Sequence, residues 1–285
     1  MVLMFVTILV LIVLVLKVKK RLSPVQMYVT SIFSVYLALF ADSVLGGMYE
    51  LYSYFKPGVQ GIDFVGAIVI YPAINILFLS KFPVGKSFRS KTFYLIGWSL
   101  FAIGYEYIAS EYSSFFNYSG WQLIYSVPIY PALYLILVWN LRLVEKLEMK
   151  DERLFHLKPI EWYGSIVFIL YLNLAADAIL KGSYELYYYV VNDVHPVDFV
   201  FRMLVLLVPL LFYLSTQSKQ FSLWKFILWI VIYVVIYEIA DQLGYFHEKQ
   251  WNSYLTILKT AATLILVQMN LRYLQSLAGR EEELR

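Results

Sequence analysis

Asp42, Glu106, Asp177 and Glu238 each interrupt a stretch of sequence that is otherwise apolar. A carboxylate inside lipid is costly unless it is paired, protonated or wetted, which makes these four the first candidates for chemistry. Asp42 and Glu106, with Asn75, Tyr49 and Tyr105 as polar company, form a set that can hold a proton or bind a cationic ligand. Asp177 and Glu238 stand at the same depth as Arg202 and Lys259, both roughly 8 to 10 Å below the outer surface at about 1.5 Å of rise per residue. Opposite charges make each other tolerable inside a membrane, so Asp177, Glu238, Arg202 and Lys259 read as a structural charge network. A competing arrangement has the two cations reach Asp42 and Glu106 and close one network. The structural alternative for all the acids is snorkelling or helix capping. Asp63 and Asp198 in particular read as caps opening a helix, while Glu50 and Glu185 fall in outer loops.

Other chemistry finds no footing. Gly85-Lys86-Ser87 resembles the end of a phosphate loop, but Ser80 stands where the first glycine is required. His156, His195 and His247 have no zinc-ligand spacing, and no nucleophile elbow is present. With no cysteine, disulfides and thiolate metal sites are excluded. No cofactor and no metal are expected, and paired acids without a metal set or a nucleophile specify no reaction. Asn117-Tyr118-Ser119 fits a glycosylation acceptor, which matters only in a secretory pathway. The 26 tyrosines cluster with other aromatics at Tyr49 to Phe55, Tyr112 to Trp121, Tyr184 to Tyr189 and Tyr245 to Trp251. Such clusters suit an interfacial belt, or an aromatic cage for a cation.

The elements that position these residues follow from composition. Of 285 residues, 61% are hydrophobic and 15% charged, against about 25% charged in a soluble domain. That excludes a water-soluble globular protein. A net charge of +3 spread over loops gives no reason to expect nucleic acid. Stretches long enough for a hydrocarbon core of roughly 30 Å lie at 1–16, 25–46, 62–80, 92–110, 121–143, 160–181, 197–215, 222–242 and 252–274. The first is short and ends at Lys17, Lys19, Lys20 and Arg21; it lacks a cleavage site and reads as an anchor. Of the 23 cations, 18 fall in alternate loops and only Lys56, Lys181 and Lys249 in the opposite ones. The positive-inside rule then puts the N-terminus outside and the C-terminus in the cytoplasm.

The chain also repeats itself. Residues 22–65 align without a gap on 157–200, with 20 of 44 positions identical. Ala41-Asp42 matches Ala176-Asp177, and Tyr49-Glu50-Leu51-Tyr52 matches Tyr184-Glu185-Leu186-Tyr187. Further on, Glu106 meets Glu238, Trp121 meets Trp251, and Asn140-Leu141-Arg142 meets Asn270-Leu271-Arg272. Arg202 and Lys259 align with Ala67 and Ile129, so each cation belongs to the second copy alone. Four helices per copy make a parallel repeat, both copies entering from the same side. The pattern of Pro24, Asp42, Tyr49-Glu50, Glu106 and Trp121, repeated as Pro159, Asp177, Tyr184-Glu185, Glu238 and Trp251, resembles a family of small polytopic membrane proteins of endospore-forming bacteria. That family implies a bacterial cytoplasmic membrane and supplies no activity.

The expected architecture is an all-α integral membrane protein of about nine transmembrane helices. It comprises an anchor and basic stop at 1–21, a four-helix repeat at 22–147, a cytoplasmic linker at 148–156, a second repeat at 157–277 and a charged cytoplasmic tail at 278–285. Two functions compete. In one, a small cation or cationic solute binds or passes through the outward-facing acidic layer. In the other, a non-transporting scaffold uses its charges structurally and docks an extracytoplasmic partner or lipid. An enzyme ranks behind both. Pro72, Pro128, Pro131 and Pro209 could each distort a helix, but no Gly/Pro-broken pair marks a transporter site.

Overall fold

A computed structural model describes residues 1–55, 61–113, 115–184, 187–188, 207–216, 222–242, 247–248 and 252–284. Six helices within them are long and apolar enough to cross a membrane: Pro24–Gly47, Phe64–Lys81, Leu123–Glu148, Pro159–Leu180, Leu223–Gln242 and Ser253–Arg280. The chain is an all-α, multi-pass membrane protein, and its described residues include two very short two-stranded sheets. It divides into two compact units, Met1–Met149 and Lys150–Arg285.

In the first unit, α1 (Val2–Lys17) is almost wholly apolar. It packs on α3 (Gly61–Lys81), burying Met4 and Leu11 against Ile70, Ala73 and Leu77. Gly66 permits this approach, since a Cβ there would meet the Met4 sulfur at 3.3 Å. Helix α2 (Pro24–Ala41) starts with Pro24 at its first position. The Ser23 hydroxyl accepts from the Gln26 N–H, and the Gln26 side chain accepts from the Ser23 N–H, each at 3.1 Å. Glu148, in the last turn of α5 (Leu123–Glu148), accepts from Ser23 Oγ at 2.9 Å and Gln26 Nε2 at 2.7 Å. That carboxylate ties the start of α2 to the end of α5.

Helix α4 (Phe88–Glu111) is capped by the Ser87 hydroxyl. The loop that mimicked a phosphate-binding motif is therefore a turn, with Gly85 at φ +78°, and a helix cap. Aromatic rings of α3, α4 and α5 fill the core: Phe78 lies 4.6 Å from Tyr134 and 5.5 Å from Tyr94 between ring centres. Pro72, Pro128 and Pro131 lie within helices that run on past them. Asp63 is the third residue of α3.

The second unit opens with a tight hairpin. Leu154 pairs with Leu157 across Phe155 and His156, both at positive φ, and the Trp162 indole donates to the Leu154 carbonyl at 2.9 Å. Helix α6 (Pro159–Asp177) follows, its Glu161 carboxylate accepting from the Lys158 N–H at 2.8 Å. Helix α9 (Ser253–Leu284) packs against α6 and α8 (Leu223–Gln242). With α7 (Leu207–Thr216), which contains Pro209, they enclose Ile169, Leu210, Tyr213, Tyr233, Leu264 and Val267. Helix α9 continues to Leu284, through the charged stretch at the end of the sequence, because Glu, Leu and Arg are good helix formers.

Candidate functional site

Helix α2 does not stop at Asp42. It widens into π-helical turns over Asp42–Met48, and the chain then doubles back through Glu50, at φ +49°, into β1 (Tyr52–Tyr54). Gly46 makes that reversal feasible, since a Cβ there would sit 3.2 Å from the Tyr52 carbonyl oxygen. Strand β1 pairs antiparallel with β2 (Phe116–Tyr118), with Tyr52 opposite Tyr118 and Tyr54 opposite Phe116. The Leu51 carbonyl then accepts three successive N–H groups, from Ser119, Gly120 and Trp121, at 2.9 to 3.0 Å. A small aromatic cap results, with Tyr52 stacked on Phe116 at 4.8 Å and edge-on to Trp121 at 5.7 Å.

Alternate residues of a strand share a face, and here that face points at the acids. Tyr52 and Tyr54 both donate to Asp42 Oδ1, at 2.8 and 3.0 Å. Tyr71 of α3 lies 3.3 Å from the Tyr54 hydroxyl and, because Tyr54 has spent its one proton, acts as donor to it. Glu106 is 6% exposed and more fully surrounded. Its Oε1 accepts from Tyr118 at 2.7 Å, Ser126 at 2.8 Å and the Trp121 indole at 3.1 Å, and its Oε2 from Tyr130 at 2.7 Å. Ser126 and Tyr130 are four residues apart on α5 and so share a helix face. Tyr71 lies within electrostatic range of both Asp42 and Glu106, which joins the two nets into one neighbourhood.

The donors are all neutral, and they keep their protons. Burial, then the Asp42 charge, pushes the hydroxyls of Tyr52 and Tyr54 above the usual phenol range. Burial, then its bond to Glu106, does the same for Tyr118. Donors converging on a carboxylate satisfy its acceptor oxygens. The arrangement can therefore seat both carboxylates in a largely apolar setting and fasten the cap to the bundle. To reach Glu106, a cation would have to compete with three donors on Oε1 and one on Oε2.

The expected company of this pair is placed elsewhere. Tyr49 is 62% exposed and lies outside the net. Tyr105 bonds Thr7 of α1 at 2.9 Å. Asn75 is fully buried and donates to Thr30 at 2.9 Å. The residues that do reach the acids, Tyr52, Tyr54, Tyr71, Tyr118, Trp121, Ser126 and Tyr130, were legible only as a belt or an apolar span.

In the second unit π-helical turns again follow the helix, over Ala178–Ser183, and β3 (Tyr187–Tyr188) pairs with β4 (His247–Glu248). Glu238 is exposed and accepts from Ser253 at 2.7 Å. Lys259 donates to the Tyr237 hydroxyl at 3.1 Å and lies 5.4 Å from the centre of that ring. Asp177 is half-buried at the end of α6. Arg202, Glu185, Asp198 and Trp251 lie outside the described residues. Among the described residues no group of three or more His, Asp or Glu could hold a metal ion.

Fold and site together define the class: a multi-pass helical membrane protein with one buried and one half-buried carboxylate bonded to an aromatic cap. No family model, no characterised protein and no solved structure matches the chain.

Proposed function

We propose that the protein is a non-transporting membrane scaffold whose buried acids hold a rigid aromatic cap on the outer face of the bundle, ready to dock an extracytoplasmic partner. One observation carries this reading: the Glu106 carboxylate is saturated by four neutral donors drawn from β2, the following loop and α5. Cation binding or passage would need those oxygens open. The surface such a cap offers includes exposed Tyr49, Tyr112 and Glu50.

Several features support reading the units as tandem copies. In each, a helix opening on proline runs into π-helical turns, and the strand that follows pairs with one just before the last helix. The cation count supports a cytoplasmic C-terminus and an outside N-terminus. The resemblance to membrane proteins of endospore-forming bacteria supports the cell membrane as location.

The test compares Asp42→Asn and Glu106→Gln with the parent protein in detergent and in proteoliposomes. The scaffold reading expects lower thermal stability, faster hydrogen exchange at residues 52–54 and 116–121, and cation uptake at the level of empty vesicles throughout. Variants of parental stability that lose a saturable cation binding would overturn it.

A further inference from the structure

The second unit holds a small, partly open cavity with room for about one water molecule, walled by Asn173 of α6, Leu210 of α7, Tyr237 of α8, and Lys259, Thr260 and Leu264 of α9. The aligned residues of the first repeat are Ala38, Asn75, Tyr105, Ile129, Tyr130 and Tyr134. Two large rings have become Thr260 and Leu264, which opens space, and an alanine and an isoleucine have become Asn173 and Lys259, which bring donors to its wall.

The amide nitrogen of Asn173 is buried and has no hydrogen-bond partner. An orphaned donor facing a cavity is costly unless something there accepts from it. Lys259 adds a positive charge and Thr260 a buried hydroxyl to the same wall. A donor-rich, positively charged cavity in a low-dielectric interior selects an acceptor with negative charge and rejects a cation. Its size limits the guest to about one atom. We propose that this cavity is a binding site for a monovalent anion of about chloride size. Asp177 stands one turn outward on the same face of α6, which keeps the affinity modest, while Glu238 is engaged with Ser253. The site lies in the second unit and draws on none of the residues around Glu106, so it stands apart from the scaffold reading.

The experiment follows thermal unfolding of the purified full chain in detergent, as sodium chloride replaces sodium gluconate at constant ionic strength. A ligand that binds only the folded state raises the midpoint. Chloride is expected to raise it saturably. Asn173→Ala, which installs the residue found at the aligned position of the first repeat, should move the half-saturating concentration up by about tenfold, and Lys259→Met should abolish the response. Identical midpoints in chloride and gluconate would mean a water-filled cavity only and overturn the proposal, as would an unchanged response in both variants. If Lys259→Met does not fold, Asn173→Ala decides alone.

Discussion

At the scale of single residues the decisive group is Glu106. Replacing it with alanine removes the acceptor of four donors at once, leaving the Trp121 indole only Ser126, an effect of roughly 3 to 5 kcal/mol by analogy with broken buried charge partnerships. Glu106→Gln keeps the shape and one acceptor oxygen and should cost less, about 1 to 2 kcal/mol, as should Tyr130→Phe, which removes one bond of the four. Chemical unfolding in detergent checks the order Ala, then Gln and Phe close together. The tyrosines give a second test. Their folded-state pKa values lie above the unfolded value, so the stability they contribute is fully present below about pH 10 and is lost as pH rises beyond it. The unfolding midpoint should be level from neutral to mildly alkaline pH and then fall. The fall should be shallower in a Tyr52→Phe, Tyr118→Phe double variant, after allowing for its lower starting stability. Asp42 and Glu106 could be picked out in the sequence, because charge stands out against an apolar run. Their partners were not. A tyrosine near a membrane surface satisfies the belt and the hydrogen-bond net equally well, and only the pairing of Tyr52 with Tyr118 decides which carboxylates the hydroxyls meet.

At the scale of elements the sequence was most informative where composition alone acts. Hydropathy located the helices, and Pro24 and Pro159 marked two of their starts. It was silent on the π-helical turns after α2, whose only local mark is Gly46-Gly47, and on the docking of α1, whose uniformly apolar surface shows no preferred face. The cap depends on those turns. Gly46→Ala should lower stability by about 1 kcal/mol, because the new Cβ would press on the backbone of Tyr52 and one or the other must shift. Gly97→Ala, where nothing lies within 4 Å, should be neutral or slightly stabilising through helix propensity. Thermal melts of the two variants side by side separate the strand contact from the general effect of removing a glycine. At the opposite end, Glu148→Ala removes the shared acceptor of Ser23 and Gln26. It should cost about 1 to 2 kcal/mol while leaving hydrogen exchange in β1 and β2 unchanged.

At the scale of the whole molecule the question is which side of the membrane each loop faces. Six helices meet the length and composition for a span, whereas α1 is short at 16 residues and α4, at 24, carries Arg89, Lys91, Glu106 and Glu111. Physically α4 can still cross, because its basic pair sits in the first turn, where it can reach headgroups, and the Glu106 oxygens are hydrogen-bonded within the protein. The proposed orientation follows from cation placement. If α4 crosses, the cap at 52–54 and 116–121 is outside, while the loop at Gly85 and the hairpin at Phe155 are inside. The absence of cysteine makes the test direct, since any single cysteine introduced is the sole thiol. Ser119→Cys should react with a membrane-impermeant maleimide in intact cells. Lys86→Cys and Glu152→Cys should react only after permeabilisation. Labelling of Ser119→Cys and Lys86→Cys from the same side would mean that α4 does not span. The buried carboxylate of Glu106 would then lie in a helix resting at the interface, and its four donors would be the means of keeping that helix on the bundle.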